Sequence, residues 1–85
     1  MTYQVDLSKR AERQLSKLDS DNQSLLGAAI DSLAVDPRPS GVKKLKGEEN
    51  VYRLRVRDYR ILYEIQDGEL LILVIKIGHR RDVYR

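Results

Sequence analysis

The chain has 85 residues, which suits one domain near the size at which a single core is only just adequate. Apolar residues make up 41% and charged ones 34%, a globular balance that excludes wholesale disorder; the absence of cysteine excludes disulfides and thiolate metal sites and points to a reducing cytoplasm. The net charge of +3 is unevenly spread: residues 1–42 carry five Lys/Arg against six Asp/Glu, residues 43–85 carry eleven against seven, so the positive excess lies in the second half.

Tyr3-Gln4-Val5-Asp6-Leu7 alternates and predicts a short first strand. Asp6, Lys9, Arg10 and Glu12 break up this end too early for a signal peptide to be expected. Ser8 reads as an N-cap, with Leu7, Ala11, Leu15 and Leu18 at helical spacing through about Leu18. After a break at Asp19-Ser20-Asp21-Asn22, Leu25, Leu26, Ala29, Ile30 and Leu33 form the apolar stripe of a second helix. Asp36-Pro37-Arg38-Pro39-Ser40-Gly41 ends it, because two prolines in three positions cannot continue a helix. The expectation is an antiparallel helical hairpin on one face of a sheet.

Val42-Lys43-Lys44-Leu45-Lys46-Gly47 is a short basic segment, a loop or an edge strand. Tyr52-Arg53-Leu54-Arg55-Val56-Arg57 then alternates with the period of two of a half-buried strand, and Tyr59-Arg60-Ile61-Leu62-Tyr63-Glu64-Ile65 follows. If both share one apolar face, a tight turn at Arg57-Asp58 sets Arg55 opposite Arg60. Like charges directly opposite in a sheet destabilise it, so that pairing points to an anion between them, a phosphate above all; the plainer reading is a solvated strand face. Tyr52, Tyr59 and Tyr63 fall on the apolar side and read as core.

Asp67-Gly68 is a type I′ hairpin signal, and pairing Gln66 with Glu69 across it would set Arg60 opposite Ile75. Leu70-Leu71-Ile72-Leu73-Val74-Ile75-Lys76-Ile77 is apolar on both faces and is expected to be central and covered on both sides; its apolar run is far too short to cross a bilayer. Continuing it brings His79 and Arg80 to the end of the sheet nearest Arg55 and Arg60, with Gly78 free to bend.

With one histidine and no cysteine, thiol nucleophiles, multi-histidine metal sites and a two-histidine acid–base pair are excluded, and no glycine-rich phosphate loop opens a helix. No cofactor is expected. What remains is a cationic face carrying Arg53, Arg55, Arg60 and Arg80, with His79 and Tyr84 nearby, suited to a nucleic-acid backbone. Lys43, Lys44 and Lys46, with His79 and Arg81, are candidates for further RNA or ribosome contact, or are simply solvated.

The tail Ile77-Gly78-His79-Arg80-Arg81-Asp82-Val83-Tyr84-Arg85 resembles the ending of RelE-like toxins. So does the order Lys44-Leu45-Lys46-Gly47, Tyr52-Arg53-Leu54-Arg55, Tyr59-Arg60-Ile61-Leu62-Tyr63-Glu64. The likeness to the RelE/ParE superfamily spans nearly the whole chain and implies a single α+β domain over residues 1–85. Its fold would be an N-terminal strand, a two-helix hairpin and a three- or four-stranded antiparallel sheet. It also implies the toxin of a bacterial type II toxin–antitoxin system, cytoplasmic and held inactive by a cognate antitoxin. RelE-type members cleave messenger RNA in the ribosomal A site without a metal, through attack of a ribose 2′-hydroxyl on the adjacent phosphorus. By that resemblance Tyr84 would be the base, Arg80 the proton donor or stabiliser of the leaving oxygen, and Arg53, Arg55 and Arg60 the groups holding the charged transition state. Arginine stands at Arg53 and Arg55 where the superfamily often has lysine. ParE-like relatives keep the fold, lack the ribonuclease residues and act on DNA gyrase. A module that docks on nucleic acid without cutting it is a third class.

Overall fold

Strand β1 (Gln4–Leu7) forms where alternation predicts it, and is followed by helices α1 (Lys9–Ser16) and α2 (Ser20–Ser32). The chain then forms β2 (Lys43–Lys44), β3 (Val51–Val56) and β4 (Tyr59–Gln66), turns through a 3-10 segment at Asp67–Glu69, and ends in β5 (Leu71–His79). This is a computed structural model, and it describes residues 2–79. The strands make one five-stranded sheet in the order β1-β5-β4-β3-β2.

The α+β architecture is the one expected, with one difference in the sheet, at β1. The basic segment at Lys43–Lys44 pairs as an edge strand, antiparallel to β3. β1 joins the other edge parallel to β5, so the sheet is mixed rather than purely antiparallel. The cause lies in β5, whose backbone on the side away from β4 would otherwise present an open row of donors and acceptors. β1 covers that row from Gln4 opposite Leu71 to Leu7 opposite Val74.

Both helices lie on one face of the sheet. Ala11, Leu26, Ile30 and Leu33 meet Ile61, Tyr63 and Ile65 of β4 and Ile72, Val74 and Ile77 of β5 in a single core. Tyr52 and Tyr59 pack half-buried against it, as the alternation implied. The opposite face carries no helix among the described residues. Leu62, Leu71, Leu73 and Ile75 are therefore only half-buried there, and the two-sided cover expected for the last strand is not found.

The β3–β4 register is the expected one, with Arg55 opposite Arg60 across the turn at Arg57-Asp58. Arg57 takes φ +54 to make so tight a connection. The β4–β5 register is not. Instead of a two-residue turn, residues Asp67–Glu69 form a 3-10 turn closed by Leu70 at φ +51, and Gln66 pairs with Leu71. A bulge follows: Tyr63 pairs with Val74 but Leu62 with Lys76, leaving Ile75 without a partner on β4. Arg60 thus stands opposite Gly78, not Ile75.

The bulge has a plain physical origin. Ile72 and Val74 point into the core, and strict alternation would send Lys76 in after them, where an ionised ammonium costs several kcal/mol. One extra residue reverses the parity: Ile77 enters the core and Lys76 turns to the open face. Helix α1 secures the irregular backbone. The Ser8 hydroxyl accepts from the Ala11 N–H at 3.0 Å as N-cap and donates to the Ile75 carbonyl at 2.6 Å. Gln14 Oε1 accepts from the Ile77 N–H at 2.7 Å, beyond the point where β1 ends.

Because one hydroxyl both caps α1 and donates to the bulge, Ser8→Ala is expected to lose about 1–3 kcal/mol of unfolding free energy, more than a cap alone. Ser8→Asp restores an acceptor but no donor, so urea denaturation is expected to leave it less stable than wild type. An aspartate variant as stable as the parent would show that the Ile75 bond carries no weight.

Candidate nucleic-acid interface

On the open face, residues opposite one another across the strands form rungs. One runs Arg55, Arg60, Gly78 across β3, β4 and β5. The next runs Lys43, Arg53, Leu62, Lys76 from β2 to β5. Same-face rungs lie about 6.6–6.8 Å apart along a strand, so these cations share a small area. Gly78 adds no side chain beside Arg60, which leaves that guanidinium room to move. Among the described residues the ion pair formed is Arg38–Asp67, at the other end of the sheet. Glu64, an acid on this face, accepts a bond from the Gln66 amide at 2.7 Å. The arginines of the open face are left without a carboxylate partner among the described residues, an arrangement that suits an external anion.

Beside the second rung, Gly41, Lys43, Arg53 and Arg55 line a concavity of about 170 Å³. Its rim is set by the loop from α2 to β2. In that loop the Arg38 N–H donates to Asp36, and the Val42 N–H bonds to the Pro39 carbonyl at 3.2 Å. Gly41 takes φ +88, a conformation that disfavours any side chain.

Arg38 anchors this loop. Its guanidinium reaches Asp67 at 2.8 Å and the Tyr52 hydroxyl at 3.2 Å, and lies 5.2 Å from the Tyr52 ring centroid. The Tyr3 hydroxyl donates to the same Asp67 carboxylate at 2.6 Å. Beneath, Tyr63 stacks on Tyr52 and donates its hydroxyl to the Pro37 carbonyl at 2.7 Å. The hydrogen bonds from Arg38, and then from Tyr3, hold the Asp67 carboxyl below its ordinary pKa. The bond to Asp67 in turn raises the Tyr3 phenol, and burial pushes the Tyr63 phenol up to about 12.

The structure thus brings Arg53, Arg55, Arg60 and Lys43 together on one face. Lys44 stands opposite Tyr52 and so belongs to the other face. Lys46 lies in the loop after β2, where Lys44, Leu45, Lys46, Gly47, Glu48 and Glu49 line a second, wide concavity of about 420 Å³. His79 reaches the same end of the sheet as Arg60, but opposite Tyr59 and therefore on the helix-facing side, where its ring meets Tyr59 edge-on with centroids 5.0 Å apart. Arg80, Arg81 and Tyr84 lie outside the described residues. Two contributors escape sequence reading. Lys76 reaches the basic face only through the bulge, its one signal being a lysine at the core parity of an apolar run. Arg38 gives no local sign of a partner twenty-nine residues away.

The fold agrees with what is found among known proteins. The model of the ParE toxin of type II toxin–antitoxin systems (parDE) matches residues 5–84. The chain belongs to this family. Among its relatives is the putative toxin RelE1 of Methanocaldococcus jannaschii, 30% identical with 100% of this chain and 98% of the relative covered. The mRNA interferase toxin RelE of Escherichia coli is 29% identical over 94% of this chain and 85% of its own. The archaeal RelE–RelB complex from Pyrococcus horikoshii superposes with a TM-score of 0.84 at 29% identity, covering 94% of this chain and 97% of that one. The intact E. coli RelBE complex gives 0.79 at 28% identity, over 91% and 95%. The chain is therefore RelE-like within the family, as the resemblance of its strand and tail motifs implied.

Arg55 and Arg60 face each other at a cost, so Arg55→Gln is expected to raise stability by about 0.2–1 kcal/mol at low ionic strength. The gain should shrink as salt screens the pair, and added phosphate should raise the Tm of the wild type more than that of the variant. A variant destabilised equally at low and high salt would remove the like-charge cost. A second expectation follows from Asp67. Its folded pKa is depressed, so its stabilisation is present above the unfolded value of about 3.9 and is lost as pH falls through the folded value. The Tm difference between wild type and Asp67→Asn should be present at pH 7 and close in acid; a gap independent of pH would sever it from the carboxylate's charge.

Proposed function

We propose that this chain is the toxin of a type II toxin–antitoxin pair and acts in the cytoplasm as an endoribonuclease on messenger RNA in the ribosomal A site. The observation that carries the reading is the Arg55–Arg60 pair, set opposite each other with Arg53 one rung away and none of the three in an ion pair with a described residue. Preorganised cations of this kind stabilise a phosphorane more than the ground-state diester, because charge accumulates on its oxygens in the transition state. The name of the E. coli relative, mRNA interferase toxin RelE, supports RNA as the substrate.

In the proposed reaction a ribose 2′-hydroxyl attacks the adjacent phosphorus and the 5′-oxygen leaves, with no metal taking part. Arg53, Arg55 and Arg60 hold the phosphorane oxygens. Tyr84 takes the 2′-hydroxyl proton, and Arg80 donates to or stabilises the leaving oxygen. A phenol titrates near 10 and a guanidinium above about 12, so neither is poised for proton transfer at neutral pH. A guanidinium beside a phenol favours its ionised form, and ribosomal alignment of the message supplies the remaining rate. Lys43, Lys44, Lys46, His79 and Arg81 are proposed contacts to RNA of the ribosome or message.

The half-buried strip of Leu62, Leu71, Leu73 and Ile75 on the uncovered face suits an apolar segment of a cognate antitoxin, and the RelE–RelB complexes among the similar structures support such a partner. A second reading, inhibition of DNA gyrase, is favoured by the ParE name of the matching family.

A translating extract with mapped message ends, run beside a DNA supercoiling assay, separates the two. New ends at A-site codons are expected, falling on the order of 10²–10³-fold in Arg60→Leu, the usual loss when one transition-state donor is removed, and strongly in Tyr84→Phe. Loss of supercoiling with intact message would replace the nuclease by the gyrase reading.

A further inference from the structure

Resting on the RNA reading, we propose that the concavity lined by Gly41, Lys43, Arg53 and Arg55 extends the Arg53–Arg55–Arg60 cluster by a second phosphate subsite at Lys43. It would take the neighbouring phosphodiester of the same RNA strand, and the Arg38–Asp67 ion pair would position the loop that walls it.

The strand register carries the argument. Lys43 stands directly opposite Arg53, so the edge of the sheet repeats one rung on the same like-charged opposition as Arg55 and Arg60. A two-residue strand could have avoided that repulsion, since moving the charge to Lys44 alone would place it on the other face. Neither Lys43 nor Arg53 forms an ion pair with a described residue. Their shared concavity of about 170 Å³ is several times the roughly 30 Å³ that one water occupies in the liquid. It has room for a hydrated phosphate group.

Gly41, the fourth lining residue beside the three cations, brings no side chain. A Cβ built on Gly41 would meet nothing within 4 Å, so packing does not demand the glycine there; its φ of +88 does. The bare glycine leaves the concavity open to a strand lying across the face. The other concavity at this edge pairs Lys44 and Lys46 with Glu48 and Glu49, a mixed lining less suited to an anion.

The loop is placed from the opposite end of the sheet. Pro37 and Pro39 restrict its backbone, Arg38 ties it to Asp67 and Tyr52, and the Val42 N–H closes a turn onto Pro39 just before Lys43. Arg38 and Asp67 are thus positioning residues: they reach the subsite through Gly41 and Lys43.

The test is the salt dependence of binding to a short single-stranded RNA, 2′-O-methylated throughout so that it is not cut. Each neutralised phosphate contributes about 0.7 to the slope of log affinity against log salt for a single strand. Lys43→Gln is expected to make the slope shallower by about that amount and to weaken binding alike for all sequences. Lys17→Gln, at the exposed end of α1 on the helix-covered side, should leave the slope at the wild-type value. Asp67→Asn makes the chain more basic, yet is expected to bind the RNA more weakly because the loop is released. Equal slope changes for Lys43→Gln and Lys17→Gln, or tighter binding by Asp67→Asn, would overturn the subsite while leaving the RNA reading standing. Wild-type binding with no salt dependence would overturn both.

Discussion

A lysine that cannot be buried decides the shape of the sheet. Lys76 sits at core parity in the most apolar strand, and the bulge at Ile75 is what keeps its ammonium out. The same irregularity delivers Ile77 to the core, brings Gly78 opposite Arg60, and leaves backbone groups that Ser8 and Gln14 of the α1 region must satisfy. Helix docking, sheet parity and the clear space beside Arg60 are consequences of one extra residue. With that residue in place, every cation of β3, β4 and β5 stays outside the core.

The open face is organised against its own stability. Two successive rungs set like charges opposite one another, and each such opposition costs a few tenths of a kcal/mol to about 1 kcal/mol. The acids that could relieve it are engaged elsewhere: Glu64 with Gln66, Asp67 with Arg38 and Tyr3. A face built in this way meets an incoming polyanion with cations that need not first break an internal pair. The opposite end of the sheet is organised in the other sense, with charge paired, Tyr52 and Tyr63 stacked, and the Tyr63 hydroxyl committed to Pro37. This paired end lies away from the basic rungs, and the basic face draws on it through the loop that Arg38 holds.

Much of this was legible in the chain because it is local. Period-two alternation across a two-residue turn gives Arg55 opposite Arg60 without knowledge of any other element, and Ser8 followed by helical spacing gives the α1 cap. The β4–β5 turn misled for an equally definite reason. Asp67-Gly68 has the composition of a type I′ turn, but the Asp67 carboxylate is engaged by Tyr3 and Arg38, and the turn opens into a 3-10 segment with Leu70 at φ +51. Spacing alone puts His79 at the end of the sheet where it lies; the bulge decides which face it takes. Composition groups Lys44 with Lys43, and the pairing of β2 with β3 separates them.

The order of residues alone determined the elements, the apolar and basic sides of the central hairpin, and the family likeness, since each depends on spacings of a few residues. Tertiary structure decided the parallel pairing of β1, the bulge, the reach of Lys76 and the anchoring of the Gly41 loop. Each of these is settled by groups far apart in the chain: Ser8 with Ile75 at a separation of 67, Tyr3 with Asp67 at 64. A backbone donor or a carboxylate takes whichever partner the folded chain brings within about 3 Å, and no spacing along the sequence records that choice.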